Sequence, residues 1–124
     1  MYLSKHFQLN EFIHSTTADI HHISNVPDNR SIENLTKLCI NVLEPLRDAF
    51  DCPVHINSGY RSARLNKLVG GASNSNHLNG SAADIPFRDS WYCWLFNHKY
   101  DCHINELIHE RKHGHEWIHV SVLV

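Results

Sequence analysis

The sequence predicts an α+β fold, a small and mainly antiparallel sheet with helices packed against it. Three observations lead there. Apolar residues recur at helical spacing between Ile32 and Phe50. Short apolar runs bounded by Gly, Pro, Asn and Ser fill the second half, and a strand-like run from Trp117 to Val124 closes the chain. At 124 residues, with 42% hydrophobic and 10% aromatic side chains, the chain is sized for one domain, 1–124, around one core.

The elements follow in order. After an N-terminal segment expected to be loose, Asn29-Arg30-Ser31 offers a helix start, and Ile32, Leu35, Cys39, Val42, Leu43, Leu46 and Phe50 form one apolar face. Pro45 lies inside that pattern and is expected to bend or break the helix, because it lacks an amide donor and crowds the preceding turn. Residues 53–57 read as a short strand, and residues 62–69 as a short helix ended by Gly70-Gly71. The Ser-, Asn- and Gly-rich stretch 72–81 reads as a loop. Strands are expected at 82–87, 104–108 and 117–124, with a helix over 90–98.

Composition excludes several function classes. Eleven Lys and Arg against 13 acids give a formal charge of -2, which provides no field for a polyanion, so no nucleic-acid partner is expected. No run of about 18 apolar residues predicts a membrane span. Residues 1–15 lack the apolar stretch of a signal peptide, so cytoplasmic synthesis without a signal of its own is expected. Cys39, Cys52, Cys93 and Cys102 have no CxxC spacing and read as free thiols.

Twelve histidines make metal chemistry a question that spacing must answer. In Ser75-Asn76-His77-Leu78-Asn79-Gly80-Ser81-Ala82-Ala83-Asp84, a loop histidine precedes an aspartate at a strand start, and small residues between them let imidazole and carboxylate converge. Glu116-Trp117-Ile118-His119 adds a second imidazole and another carboxylate. Two His and one Asp leave a fourth zinc position open, the pattern of a catalytic rather than a structural site. Each piece alone is also what a packed or solvated side chain would give.

Ser58-Gly59-Tyr60-Arg61-Ser62, Leu65-Asn66, Gly70-Gly71, Ser75-x-His77-x-x-Gly80-x-Ala82-Ala83-Asp84 and Trp117-Ile118-His119-Val120-Ser121 together resemble the zinc D-alanyl-D-alanine carboxypeptidase family, in particular its short phage-type and prophage-type members. The likeness extends to Phe7-x-Leu9-x-Glu11-Phe12, Ser15-x-x-Ala18, Asn25-x-Pro27 and Leu43-x-Pro45-x-Arg47. It implies the fold shared by hedgehog domains and D,D-peptidases. It further implies His77, Asp84 and His119 as Zn2+ ligands, Glu116 as general base, and Arg61 as the positive group facing substrate. The activity implied is hydrolysis of peptide bonds in bacterial peptidoglycan stem peptides by a monomer, as a D,D-carboxypeptidase or an endolysin-like endopeptidase. It would act on the wall after release or within a phage particle. The alternative is a non-catalytic zinc-containing structural or binding protein of a phage or secretion assembly.

Strand geometry constrains one of these roles. Residues three apart in a regular strand face opposite sides, so Glu116 needs an irregular strand entrance to share a site with His119. Glu110, His113 and His115 are its rivals. Arg61 has a plain reading as a structural ion-pair residue, Trp117 as core or cleft wall, and the cluster Trp91, Tyr92, Trp94, Leu95, Phe96 as packing of a helix onto the sheet.

Overall fold

The computed structural model of the protein describes all 124 residues. Near the N-terminus lie two one-turn helices, α1 (Leu9–Ile13) and α2 (Thr16–Ile20). The amphipathic run then forms helix α3 (Asn29–Leu38), a π-helical turn (Cys39–Leu43) and helix α4 (Glu44–Phe50). Asp28 caps α3 by accepting the Ser31 amide at 2.8 Å. Pro45 was expected to bend or break this helix; the chain instead widens one turn ahead of it. The Glu44 amide reaches back to the Cys39 carbonyl, and Pro45 then sits in the first turn of α4, where a missing amide costs least.

Further along come helix α5 (Ala63–Leu68), a 3-10 turn (Asn76–Asn79), strand β1 (Ala82–Pro86), helix α6 (Asp89–Asn97), strand β2 (Ile104–Lys112) and strand β3 (His115–Val122). The sheet is antiparallel with order β1-β3-β2. One face of β3 presents Ile118, Val120 and Val122 to the core, where they meet Ala83 and Ile85 of β1 and the apolar faces of α3 and α4. Full burial of such side chains contributes roughly 1.5–3 kcal/mol each. Trp91 and Leu95 fix α6 to the same core, as the aromatic cluster in the sequence suggested.

Three expectations need correction. Residues 53–57 keep the alternation of a strand, with Val54 and Ile56 buried, yet they do not join the sheet as one. Only Ser58 forms a bridge, to Asp84. The second concerns the hairpin. β2 runs to Lys112 rather than 108, and β3 starts at His115 rather than 117. His113 (φ 51°) and Gly114 (φ 77°) are the two turn residues, both left-handed, which gives a tight hairpin whose twist matches its strands. Third, the N-terminal segment is ordered by caps: Gln8 and Glu11 form a reciprocal box, and Ser15 accepts the Ala18 amide.

A β-bulge between Ile104 and Glu106 changes the face of β2. Ile104 pairs with Val122 on the core side, whereas Glu106 pairs with Ser121 on the opposite side. That opposite side carries the site.

Candidate metal centre

His77 sits in the 3-10 turn, held by its neighbours before any ligand is considered. The Ser75 hydroxyl accepts the His77 amide at 3.2 Å, and the His77 carbonyl accepts the Arg61 amide at 3.0 Å. The buried ring donates from Nδ1 to the Gly59 carbonyl at 2.6 Å. A carbonyl can only accept, so Nδ1 carries the proton and Nε2 is left facing Asp84 Oδ1 at 3.2 Å.

The segment Ser58 to Arg61 is therefore a scaffold for this imidazole. The Ser58 carbonyl accepts the Asp84 amide at 2.8 Å, and the Tyr60 amide donates to the Phe12 carbonyl at 2.8 Å. Gly59 lies so close to α1 that a Cβ there would stand 2.7 Å from Phe12 backbone atoms. Asn25 ties the segment down, donating to the Ile13 and Tyr60 carbonyls and accepting the Ser62 amide at 2.7 Å.

His119 stands on β3 directly across from Asp84 on β1. Its Nδ1 lies 3.1 Å from Asp84 Oδ1, and its Nε2 lies 2.9 Å from Glu106 Oε1. Thus His77 offers Nε2 and His119 offers Nδ1 to the same carboxylate. Burial alone would push Asp84 up and His119 down. The hydrogen bond from His119 and the adjacent His77 ring outweigh it for Asp84, whose pKa falls to about 2. Bonds to Asp84 and Glu106 likewise raise His119 to about 9.

One ligand atom each from His77, Asp84 and His119 lie within 4.8 Å of one another. The edge of a zinc tetrahedron built on bonds near 2.1 Å is about 3.4 Å. The two imidazole–carboxylate separations of 3.2 and 3.1 Å already match that edge. Two nitrogens and one carboxylate oxygen, with the far nitrogen of each ring committed to an acceptor, suit Zn2+ and leave a fourth position open.

The three groups line a cleft of about 490 Å³, together with Arg61, Glu106, Glu110, Trp117 and others. Burial lowers the pKa of Arg61, and the charges of Asp84 and Glu110 oppose it. Arg61 Nε and Trp117 Nε1 are buried donors that no protein acceptor meets. Trp117 is a cleft wall.

Glu116 is not brought to this cleft. β3 is regular from His115, so Glu116 faces away from His119 and pairs instead with His109 (2.9 Å) and Arg111 (3.5 Å). The irregular entrance it required is absent. His113 and His115 belong to the exposed hairpin end and do not line the cleft. Of the rivals, Glu110 does: it pairs with Trp117, two residues from His119 on the same face. Glu106 was not singled out in the sequence, although strand alternation on either side of the turn would have set it beside Glu110.

Against known proteins, a family model described as peptidase M15 matches residues 5–121. The zinc D-Ala-D-Ala carboxypeptidase of Streptomyces albus G is 44% identical over 54 residues, which make up 43% of this chain and 21% of that protein. The chain thus matches about a fifth of the length of that relative.

Proposed function

The chain belongs to the peptidase M15 family, and from that premise we propose that it is a zinc-dependent peptidase that hydrolyses peptide bonds in bacterial peptidoglycan stem peptides. It acts as a D,D-carboxypeptidase or as an endopeptidase of the endolysin kind. The observation that carries the reading is the convergence of His77, Asp84 and His119 in a cleft that also holds Arg61 and two carboxylates outside the ligand set, Glu106 and Glu110. A purely structural metal would need neither Arg61 nor Glu110.

His77 Nε2, Asp84 Oδ1 and His119 Nδ1 would hold the zinc. Bound there, it would polarise the scissile carbonyl and make water acidic enough to attack near neutral pH. Glu110 takes the proton from the attacking water and returns it to the leaving amine, in place of Glu116, which faces away. Arg61, which lines the cleft, donates to the developing oxyanion or to a substrate carboxylate. Trp117 limits water on one side of the cleft.

All these groups come from one chain, which supports a monomer as the working unit. The substrate places the enzyme's work at the cell wall, after release from the cytoplasm or within a phage particle. Digestion of purified peptidoglycan tests the reading. Product masses should show release of a terminal D-Ala or a cut within the stem peptide, lost with a chelator and restored by zinc. A zinc-loaded protein that cuts no peptidoglycan of any chemotype is instead a non-catalytic zinc-containing binding or structural protein.

A further inference from the structure

We infer that Glu106 is a positioning residue that fixes which nitrogen of His119 faces the metal centre. The inference rests on the zinc reading above and extends it to a side chain outside the ligand set.

The geometry builds it from the backbone upward. The unbroken hairpin register from Lys112/His115 to Glu106/Ser121 puts Glu106 on the site face with Ile108 and Glu110. The bulge between Ile104 and Glu106 then returns Ile104 to the core. There a single oxygen, Oε1, receives two bonds: Asn76 Nδ2 at 2.7 Å and His119 Nε2 at 2.9 Å. Asn76 immediately precedes His77, so the same carboxylate links the turn that carries one imidazole to the strand that carries the other.

A carboxylate accepts and cannot donate in its ionised form. Both carboxylates accept from His119, Glu106 at Nε2 (2.9 Å) and Asp84 at Nδ1 (3.1 Å); in the neutral ring the shorter contact to Glu106 keeps the proton on Nε2 and leaves the lone pair on Nδ1, facing the centre. Gly59 performs the opposite selection on His77 through its carbonyl. The two rings thus present different nitrogens, each chosen by an acceptor outside the ligand set. An imidazole whose far nitrogen is bound to a carboxylate is also a more basic ligand.

The test follows zinc affinity, by competition with a chelator, and the His119 tautomer, by nitrogen NMR on metal-free protein with the ring neutral. Wild type should hold Nε2–H. Glu106→Gln keeps an oxygen that can accept the same bond and should retain that tautomer, with a loss in zinc affinity below tenfold. Glu106→Leu, of similar size but without an acceptor, should move the proton to Nδ1, against Asp84, and lose roughly 10–100-fold in zinc affinity. Should that variant fail to fold, Glu106→Thr, which is too short to reach Nε2, carries the same comparison. A Leu or Thr variant with wild-type tautomer and affinity overturns the inference. If wild type shows the Nε2–H tautomer but binds no zinc, the zinc reading fails and the positioning of the ring stands.

Discussion

Asp84 on β1 and His119 on β3 are cross-strand partners, with Oδ1 3.1 Å from Nδ1, so the sheet register itself builds half of the site. In the metal-free protein this pair is an ion pair with a pH signature. The His119 pKa rises from its ordinary 6.5 to about 9, so its contribution to stability is complete below pH 6.5 and is lost as pH rises through 9. The Asp84 pKa falls from 3.8 to about 2, so its contribution is present above pH 3.8 and lost as pH falls through 2. Zinc needs the neutral ring and displaces that proton, so its binding tightens as pH rises. Melting temperature of metal-free protein should therefore decline between pH 6.5 and 9, while the gap to zinc-loaded protein widens. A flat profile for the metal-free protein over that range would refute the pairing.

Metal content tests the ligand set directly. The wild-type protein should carry close to one zinc per chain, and replacing His77, Asp84 or His119 by Ala should each lower that occupancy. Elemental analysis that finds wild-type zinc in all three variants would remove the assignment.

Gly59 links fold to site through a close approach and not through unusual backbone angles. Gly59→Ala inserts a Cβ 2.7 Å from the Phe12 backbone, which can yield only by moving α1 or the 58–61 segment. Overpacking of this kind costs typically about 1–3 kcal/mol. Because the Gly59 carbonyl holds His77 Nδ1, zinc affinity should fall together with melting temperature. Loss of stability with unchanged zinc affinity would show that the carbonyl does not govern the ring.

Much of this arrangement was legible in residue order. The interval His77 to Asp84 and the strand histidine at 119 pointed to the groups that the fold brings together, and the family resemblance was needed to name them as ligands. The apolar spacing from Ile32 to Phe50 gave the long helix, though not the π turn, since nothing in a 3.6-residue period marks a register shift. Helices α1 and α2 have five residues each, too few for periodicity, and tertiary hydrogen bonds such as that from Asn25 to Ile13 hold their surroundings. The hairpin was the costly omission. Pairing Lys112 with His115 across His113-Gly114 sets Arg111 against Glu116, Glu110 against Trp117, Ile108 against His119 and Glu106 against Ser121. That register alone decides which carboxylates share the face of His119.

The same register separates Glu110 from Glu116 in the rate measurement. Glu110→Gln keeps the size and most hydrogen bonding of the side chain but removes its capacity to take a proton. Loss of general-base action typically lowers the rate by about 10²–10⁴-fold, and zinc content and melting temperature should stay near wild type because Glu110 is neither a ligand nor a core residue. Glu116→Gln breaks only an exposed contact with His109 and Arg111 on the far side of the sheet. Exposed ion pairs contribute about 0–1 kcal/mol, so turnover should remain within a few-fold of wild type. Arg61→Ala should slow turnover with zinc retained, as Arg61 lines the cleft but is not a ligand. The two Gln variants, assayed on the same muropeptides at equal zinc loading, decide the matter. A slow Glu116→Gln beside a fast Glu110→Gln would mean that the working enzyme departs from the strand register seen here, and the proton acceptor would have to be assigned to Glu116.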